Sequence, residues 1–258
     1  MEKKNDLSVF IIAKNEEKNL PRCLDSVKTL ADEIIVIDGF SRDNTAKIAE
    51  GYGAKVYQQN LVSFTEQKQF ALDNCSCKWV LNLDADEFLS DALIAEIPPA
   101  LARAHEQGVT MFLLPFVNIF LGRQMKYGGL AGRFKERLAL RQSARYEGGL
   151  VHERMVARGG KTERLANPFM HTPYRDIEHY FDKFNAYTTL GAKSLYEEGR
   201  KFNALNLLRA PFDFFKIYIL KLGFLDGIQG FLWALFSSFY PTVKYAKLWH
   251  MCFQEDKK

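Results

Sequence analysis

The chain has 258 residues, 47% of them hydrophobic and 26% charged, with a formal net charge of +4. That is enough apolar material for one compact α/β domain plus an appendage, and no repeat or low-complexity tract competes with this reading. The four cysteines, Cys23, Cys75, Cys77 and Cys252, are scattered. Without a second pair at zinc spacing they read as reduced thiols in a cytosolic setting.

Leu7–Ala13 is an almost unbroken apolar run, as expected of a strand covered on both faces. It is too short for a signal peptide, is followed by Lys-Asn-Glu-Glu-Lys and carries no cleavage pattern. Leu20, Cys23, Leu24 and Val27 then recur at helical spacing. Glu33–Asp38 is a second buried strand, and Gly39–Thr45 is turn and cap chemistry opening a helix to about Tyr52, with Gly53 behind it. Ala54–Tyr57 is a short third strand, Phe64–Cys75 a helix and Trp79–Asp84 a fourth strand. Strands alternating with helices predict a mostly parallel sheet with helices on both faces.

Polar residues gather where three of these strands end: Asn15, Glu16 and Glu17; Asp38; Asp84 and Asp86. Ligands of open α/β sheets lie at the carboxyl ends of strands. Residues i and i+2 on an extended chain face the same way, so Asp84 and Asp86 can point together into one site, which suits Mg²⁺ or Mn²⁺ shared with substrate phosphates. Each cluster also has a plain structural reading. Glu16 can complement a helix dipole, Asp38 can be a polar strand end, and Asp-x-Asp can cap a helix.

Three stretches taken together, Ile-Ile-Ala-Lys-Asn-Glu-Glu-Lys-Asn-Leu, Val-Ile-Asp-Gly-Phe-Ser-Arg-Asp-Asn-Thr and Leu-Asn-Leu-Asp-Ala-Asp-Glu, resemble the family-2 glycosyltransferases of the GT-A (Rossmann-like) fold. The resemblance is strong over residues 7–90. It extends more loosely, through Gly149–Arg154, Lys183–Thr188 and Gly223–Phe231, toward bacterial lipopolysaccharide-core glucosyltransferases. It implies that Ala13, Glu16 and Asp38 line a uridine pocket. It also implies that Asp84 faces the ribose or a metal-bound water, and that Asp86 ligates the divalent metal. One departure is Phe40, where many relatives carry a small or polar residue.

Charge is unevenly spread. Residues 1–121 carry 12 basic and 18 acidic side chains, whereas residues 122–165 carry 11 and 4. The basic stretch, with Arg133, Lys135, Arg137, Arg141 and Arg145, fits either an anionic acceptor or a solvated hairpin face. No nucleic-acid-binding motif accompanies it. Val109–Phe116 is a fifth strand, after which paired glycines punctuate loops and hairpins. His152 and Glu153, on a glycine-bounded loop, read by residue type as a pair in a surface hairpin; the resemblance makes them the candidate catalytic pair, with Glu153 as base toward an acceptor hydroxyl and His152 orienting the acceptor, binding diphosphate or serving as the base itself. His171 can complete a metal or diphosphate site or pack structurally, and His179 reads as structural.

From Phe202 to Phe253 the chain holds nine Phe, three Tyr and two Trp among dispersed lysines. The uncharged run Gly227–Val243 has 17 residues, short of a comfortable membrane span of roughly 20. Amphipathic aromatic helices with lysines predict peripheral or monotopic attachment to an anionic membrane surface; a core or dimer-forming helical pair is the other reading. The expected layout is a glycosyltransferase domain over 1–200, with a nucleotide and metal half (1–100) and an acceptor and catalytic half (101–200). A helical membrane-associating segment follows over 201–258. The resemblance implies an inverting transfer of a hexose, glucose from a UDP-sugar donor, to a lipid-linked glycan acceptor at the cytoplasmic face of the bacterial inner membrane. The lipopolysaccharide inner-core heptose is the first choice of acceptor. A polyprenyl phosphate, another envelope or capsular glycan, or a peptide side chain are the alternatives within the enzyme class, and a nucleotide-binding scaffold is the non-enzymatic one.

Overall fold

A computed structural model describes residues 5–60, 63–130, 132–148 and 153–255. The chain divides into two compact units, one of residues 1–116 and 132–171, the other of residues 117–131 and 172–258.

In the first unit, strands β1 (Leu7–Ala13), β2 (Glu33–Asp38), β3 (Lys55–Gln58) and β4 (Trp79–Asp84) form the parallel half of a sheet in the order β3-β2-β1-β4. The sheet is a sandwich filling because side chains alternate across each strand. Leu7, Val9 and Ile11 of β1 pack on one face with Leu20, Cys23, Leu24 and Val27 of helix α1 (Leu20–Val27). Phe10 points to the other face, with Ile35 and Ile37 of β2 and Ala71 and Leu72 of α3 (Phe64–Asp73). The four α1 positions picked out by their spacing are therefore the buried ones. Helix α2 (Thr45–Gly51) links β2 to β3.

Beyond β4 the sheet turns antiparallel. A short strand β5 (Glu87–Leu89) follows Asp86 directly and leads into α4 (Asp91–Gln107). Ser90 caps α4 by accepting from Leu93 N–H, and Gly108 closes it in the left-handed conformation at φ 68°. Strand β6 (Val109–Phe120) runs four residues past the predicted end at Phe116, its buried and half-buried positions alternating over the extra length. A two-residue strand β7 (Arg123–Gln124) pairs with that extension. Strand β8 (Phe134–Leu140) pairs antiparallel with both β4 and β6. Strands β9 (Ala144–Gly148) and β10 (Glu153–Ala157) make a separate two-stranded sheet, and β11 (Lys161–Arg164) runs parallel to β6. Strand β12 (Phe169–His171) pairs with β5, setting His171 opposite Glu87. Neither β5 nor β12 was predicted, because three residues are too few to establish a period.

The second unit is built on α5 (Ile177–Glu197), α6 (Arg209–Phe215) and α7 (Gly227–Glu255), so α5 clusters with the C-terminal helices. Asp176 caps α5 by accepting from His179 N–H at 2.7 Å. Helices α5 and α7 join through aromatic pairs, Tyr180–Phe236 at 5.2 Å and Phe184–Tyr240 at 5.7 Å. The fully buried carboxylate of Asp226 accepts from the N–H groups of Lys126 and Tyr127.

Candidate active site

The parallel register sets Ala13 beside Asp38 and Ile12 beside Asp84, so three strand ends finish at one level. Side chains of the loops after β1 and β2 lace them together. Asn15, with φ 56°, donates its N–H to Ser41 Oγ and accepts from Arg42 N–H. Glu16 N–H donates to Thr45 Oγ1, and the Glu16 carboxylate accepts from Asn19 Nδ2 at 2.7 Å. Asp38 is fully buried, and both its carboxylate oxygens accept from Ser41 N–H at 3.2 Å. Phe40 is held at φ 57° and half exposed beside this corner.

β4 ends at Asp84, and a turn through Ala85 and Asp86 leads into β5. The two-residue alternation that would aim Asp84 and Asp86 together therefore stops before Asp86, and the two carboxylates have different neighbours. Asp84 Oδ2 accepts from Arg137 Nη2 at 2.7 Å, and Asp84 Oδ1 stands 3.1 Å from Lys68 Nζ. Asp86 Oδ1 stands 3.6 Å from His171 Nε2, whose ring meets Phe116 edge-on.

Behind Asp84 lies a buried charge network. Arg137 donates to Asn82 Oδ1 at 2.5 Å, to Asp84 and to Glu87 Oε1 at 2.6 Å. Glu87 is fully buried, accepts a second cation, Lys135, at 3.2 Å and takes the Asp84 N–H on its other oxygen. Tyr146 donates its hydroxyl to Asn82 Oδ1. Burial opposes ionisation of Asp84, but the charges of Arg137, Lys68 and Lys135 prevail and hold its carboxyl well below the usual carboxylate range. Burial likewise works against the Arg137 cation, and the charges of Asp84 and Glu87 overcome it and raise its pKa.

Lys68 joins this network to the β9–β10 sheet. Only 5% of its side chain is exposed, and its ammonium lies 3.1 Å from Asp84 and 2.9 Å from Glu153 Oε1. Glu153 opens β10. Its expected partner His152 lies outside the described residues.

Composition and strand-end reasoning single out neither Lys68 nor the buried part of Arg137. Lys68 does leave a sequence trace. It sits with Ala71 and Leu72 on the core-facing stripe of α3, where a solvated lysine has no place. Arg137 belongs to the basic stretch that reads equally as a solvated hairpin face, yet it is buried, and its two Nη groups donate to carboxylates and Asn82.

Residues 8–146 match the model of the family described as Glycosyl transferase family 2. An uncharacterized glycosyltransferase of Rickettsia typhi is 31% identical over 251 residues, 94% of this chain and 86% of the relative. The lipopolysaccharide core biosynthesis glycosyltransferase LpsC of Rhizobium meliloti is 31% identical over 259 residues, 94% of this chain and 92% of the relative. Among solved structures, S. aureus TarS 1–349 in complex with UDP-GlcNAc aligns with 96% of this chain and 92% of its own, with a TM-score of 0.50 at 15% identity, a likeness of fold. The chain belongs to glycosyl transferase family 2 and is an enzyme of that class.

Proposed function

We propose that the enzyme transfers glucose from UDP-glucose to a lipid-linked acceptor, the inner-core heptose of lipopolysaccharide, at the cytoplasmic face of the bacterial inner membrane. The observation that carries this reading is the placement of Lys68 between Asp84 and Glu153. One ammonium spans the strand end where a nucleotide sugar would lie and the carboxylate that would act on the acceptor. The relative named for lipopolysaccharide core biosynthesis, matched along 94% of this chain, supports the acceptor class.

In this reading Ala13, Glu16 and Asp38 form the uridine side of the donor site. Among the described residues no group of three or more His, Cys, Asp or Glu could hold a metal ion. Asp86, an oxygen donor of the kind Mg²⁺ or Mn²⁺ takes, would hold the ion, and His171, whose Nε2 stands 3.6 Å from it, is the neighbouring side chain that would help to hold it. Asp84, committed to Lys68 and Arg137, shapes the field around that pair. A bound divalent ion would neutralise the diphosphate charge that develops on departure.

Glu153 takes the proton of the acceptor hydroxyl as its oxygen bonds to the anomeric carbon. The bond from that carbon to the diphosphate oxygen breaks on the opposite face, UDP leaves with the electron pair, and configuration inverts. Lys68 orients Glu153 through one carboxylate oxygen.

Calorimetric titration with UDP, UDP-glucose, UDP-galactose, UDP-N-acetylglucosamine and GDP-mannose, with and without Mn²⁺, tests the donor. Transfer to a heptose-terminated core in detergent tests the acceptor, with a polyprenyl phosphate as the competing substrate. Asp86→Ala should abolish metal-dependent donor binding and transfer while leaving the thermal melt in place. Full activity of that variant refutes the metal assignment.

A further inference from the structure

We infer that the elbow formed by α6 and the start of α7 is a lipid-binding surface that dips into one leaflet of an anionic bilayer. The inference rests on the membrane placement proposed above and not on the identity of the donor.

The primary observation is a helical surface with two apolar faces, of which the protein covers one. Leu208, Phe212, Phe215, Ile219 and Leu222 line the segment that runs from the turn before α6, through α6 and the wider helical turn after it, to the left-handed residue that ends it. They are 70%, 63%, 50%, 40% and 43% exposed. The opposite face is occupied: Phe214 and Tyr218 pack on Phe231 of α7 at 5.8 Å and 5.7 Å. An amphipathic helix on a water-facing surface turns its polar side outward. Here the outward side is apolar, and Phe224, Leu225 and Ile228 at the bend continue it at 43%, 45% and 63% exposure. A contiguous exposed patch of this kind marks an interaction site.

Charge selects the occupant. Arg200, Lys201, Arg209, Lys216 and Lys221 are all exposed in the same segment. Of its two acids, Asp213 faces Arg209 at 3.7 Å and Asp226 is buried on backbone N–H groups. The rim of the patch is therefore basic, complementary to anionic headgroups, while lysine stems let the apolar ring sink below the charges. No single helix among the described residues is long and apolar enough to cross a membrane; the stretches Arg209–Leu220 and Gly223–Gln254 reach that length and composition only together, and they are bent by 72°. A bent pair with a basic rim suits insertion into one leaflet, its apolar side down.

The test is flotation of the full chain, without donor or metal, on vesicles of phosphatidylglycerol with phosphatidylethanolamine and on vesicles of phosphatidylcholine alone. The expected result is binding to the anionic vesicles, weakened by salt, and little binding to the neutral ones. Phe215→Ser with Ile219→Ser should weaken binding at least tenfold. Lys216→Glu with Lys221→Glu should remove the preference for anionic lipid. Circular dichroism and thermal unfolding check that each variant is folded. In a Phe215→Trp variant, quenching by lipids brominated along the acyl chain should report burial below the headgroups. Unchanged binding of the folded serine variant, or no binding of the parent chain, overturns the inference. A dimer in sedimentation that the serine variant abolishes overturns it in favour of a second copy of this chain. Transfer to a core acceptor in detergent is read separately, so a failed donor or acceptor assignment leaves the vesicle result standing.

Discussion

Arg137→Met removes the cation that ties Asn82, Asp84 and Glu87 together while keeping much of the side chain's volume. Glu87 is fully buried and would keep only Lys135, at 3.2 Å, as a charged partner. Stranding a buried carboxylate in this way costs about 3–5 kcal/mol. Asp84 adds less, because a third of its side chain is exposed and solvent screens its loss. Urea unfolding followed by Trp79 fluorescence, in a Trp233→Phe, Trp249→Phe background, reads the unit that holds the network. Glu87→Gln on top of Arg137→Met should recover part of the loss, since the stranded charge is then gone. The pH dependence follows from Asp84. Its folded pKa lies below its unfolded value, so its stabilisation is present above the unfolded pKa and disappears as pH falls through the folded one. Without Arg137 the folded pKa rises, and acid unfolding should begin at higher pH. A loss below about 1 kcal/mol, in the range of an exposed ion pair, would refute the buried-network argument.

Lys68→Met should lower kcat by about 10²-fold or more, within the span of a general base's contribution, and Lys68→Arg should restore part of it. A shift in KM alone would mean that Lys68 serves donor binding and not Glu153. Gly230→Ala should destabilise the helical unit by about 1–3 kcal/mol in thermal unfolding, because its methyl carbon would sit 1.9 Å from the Gly223 carbonyl oxygen. An unchanged melt would show that this packing relaxes freely. Burial raises the Glu33 pKa, but hydrogen bonds from Lys55, Ser8 and Ser76 N–H bring it down to about 2. Its stabilisation should thus be complete above the unfolded carboxylate range and vanish toward pH 2. Glu33→Gln should flatten that part of the stability–pH curve, and an unaltered curve would discount the site.

The sequence determined the parallel half of the sheet and the level at which its strands end. Leu7–Ala13, Glu33–Asp38 and Trp79–Asp84 are apolar runs separated by helical spacing, which calls for parallel strands, while their order in the sheet, β3-β2-β1-β4, was set by tertiary pairing. Their polar termini follow from the chain leaving the core there. The pairing of Asp86 with His171 and of Lys68 with Glu153 was decided by tertiary structure. The first joins residues 85 positions apart through a pair of three-residue strands, and the second joins α3 to β10 across the same separation. Local periodicity carries no information over such distances, and a three-residue strand forms only when its partner is already in place. The same holds for Arg137. As a letter in a basic stretch it is a surface charge, and it becomes an internal one only because β8 lies against β4, where Asn82, Asp84 and Glu87 offer more for its cation than water does. At the C-terminus the sequence supplied the aromatics and lysines, and the packing of Phe214 and Tyr218 on Phe231 decided which apolar face was left outside.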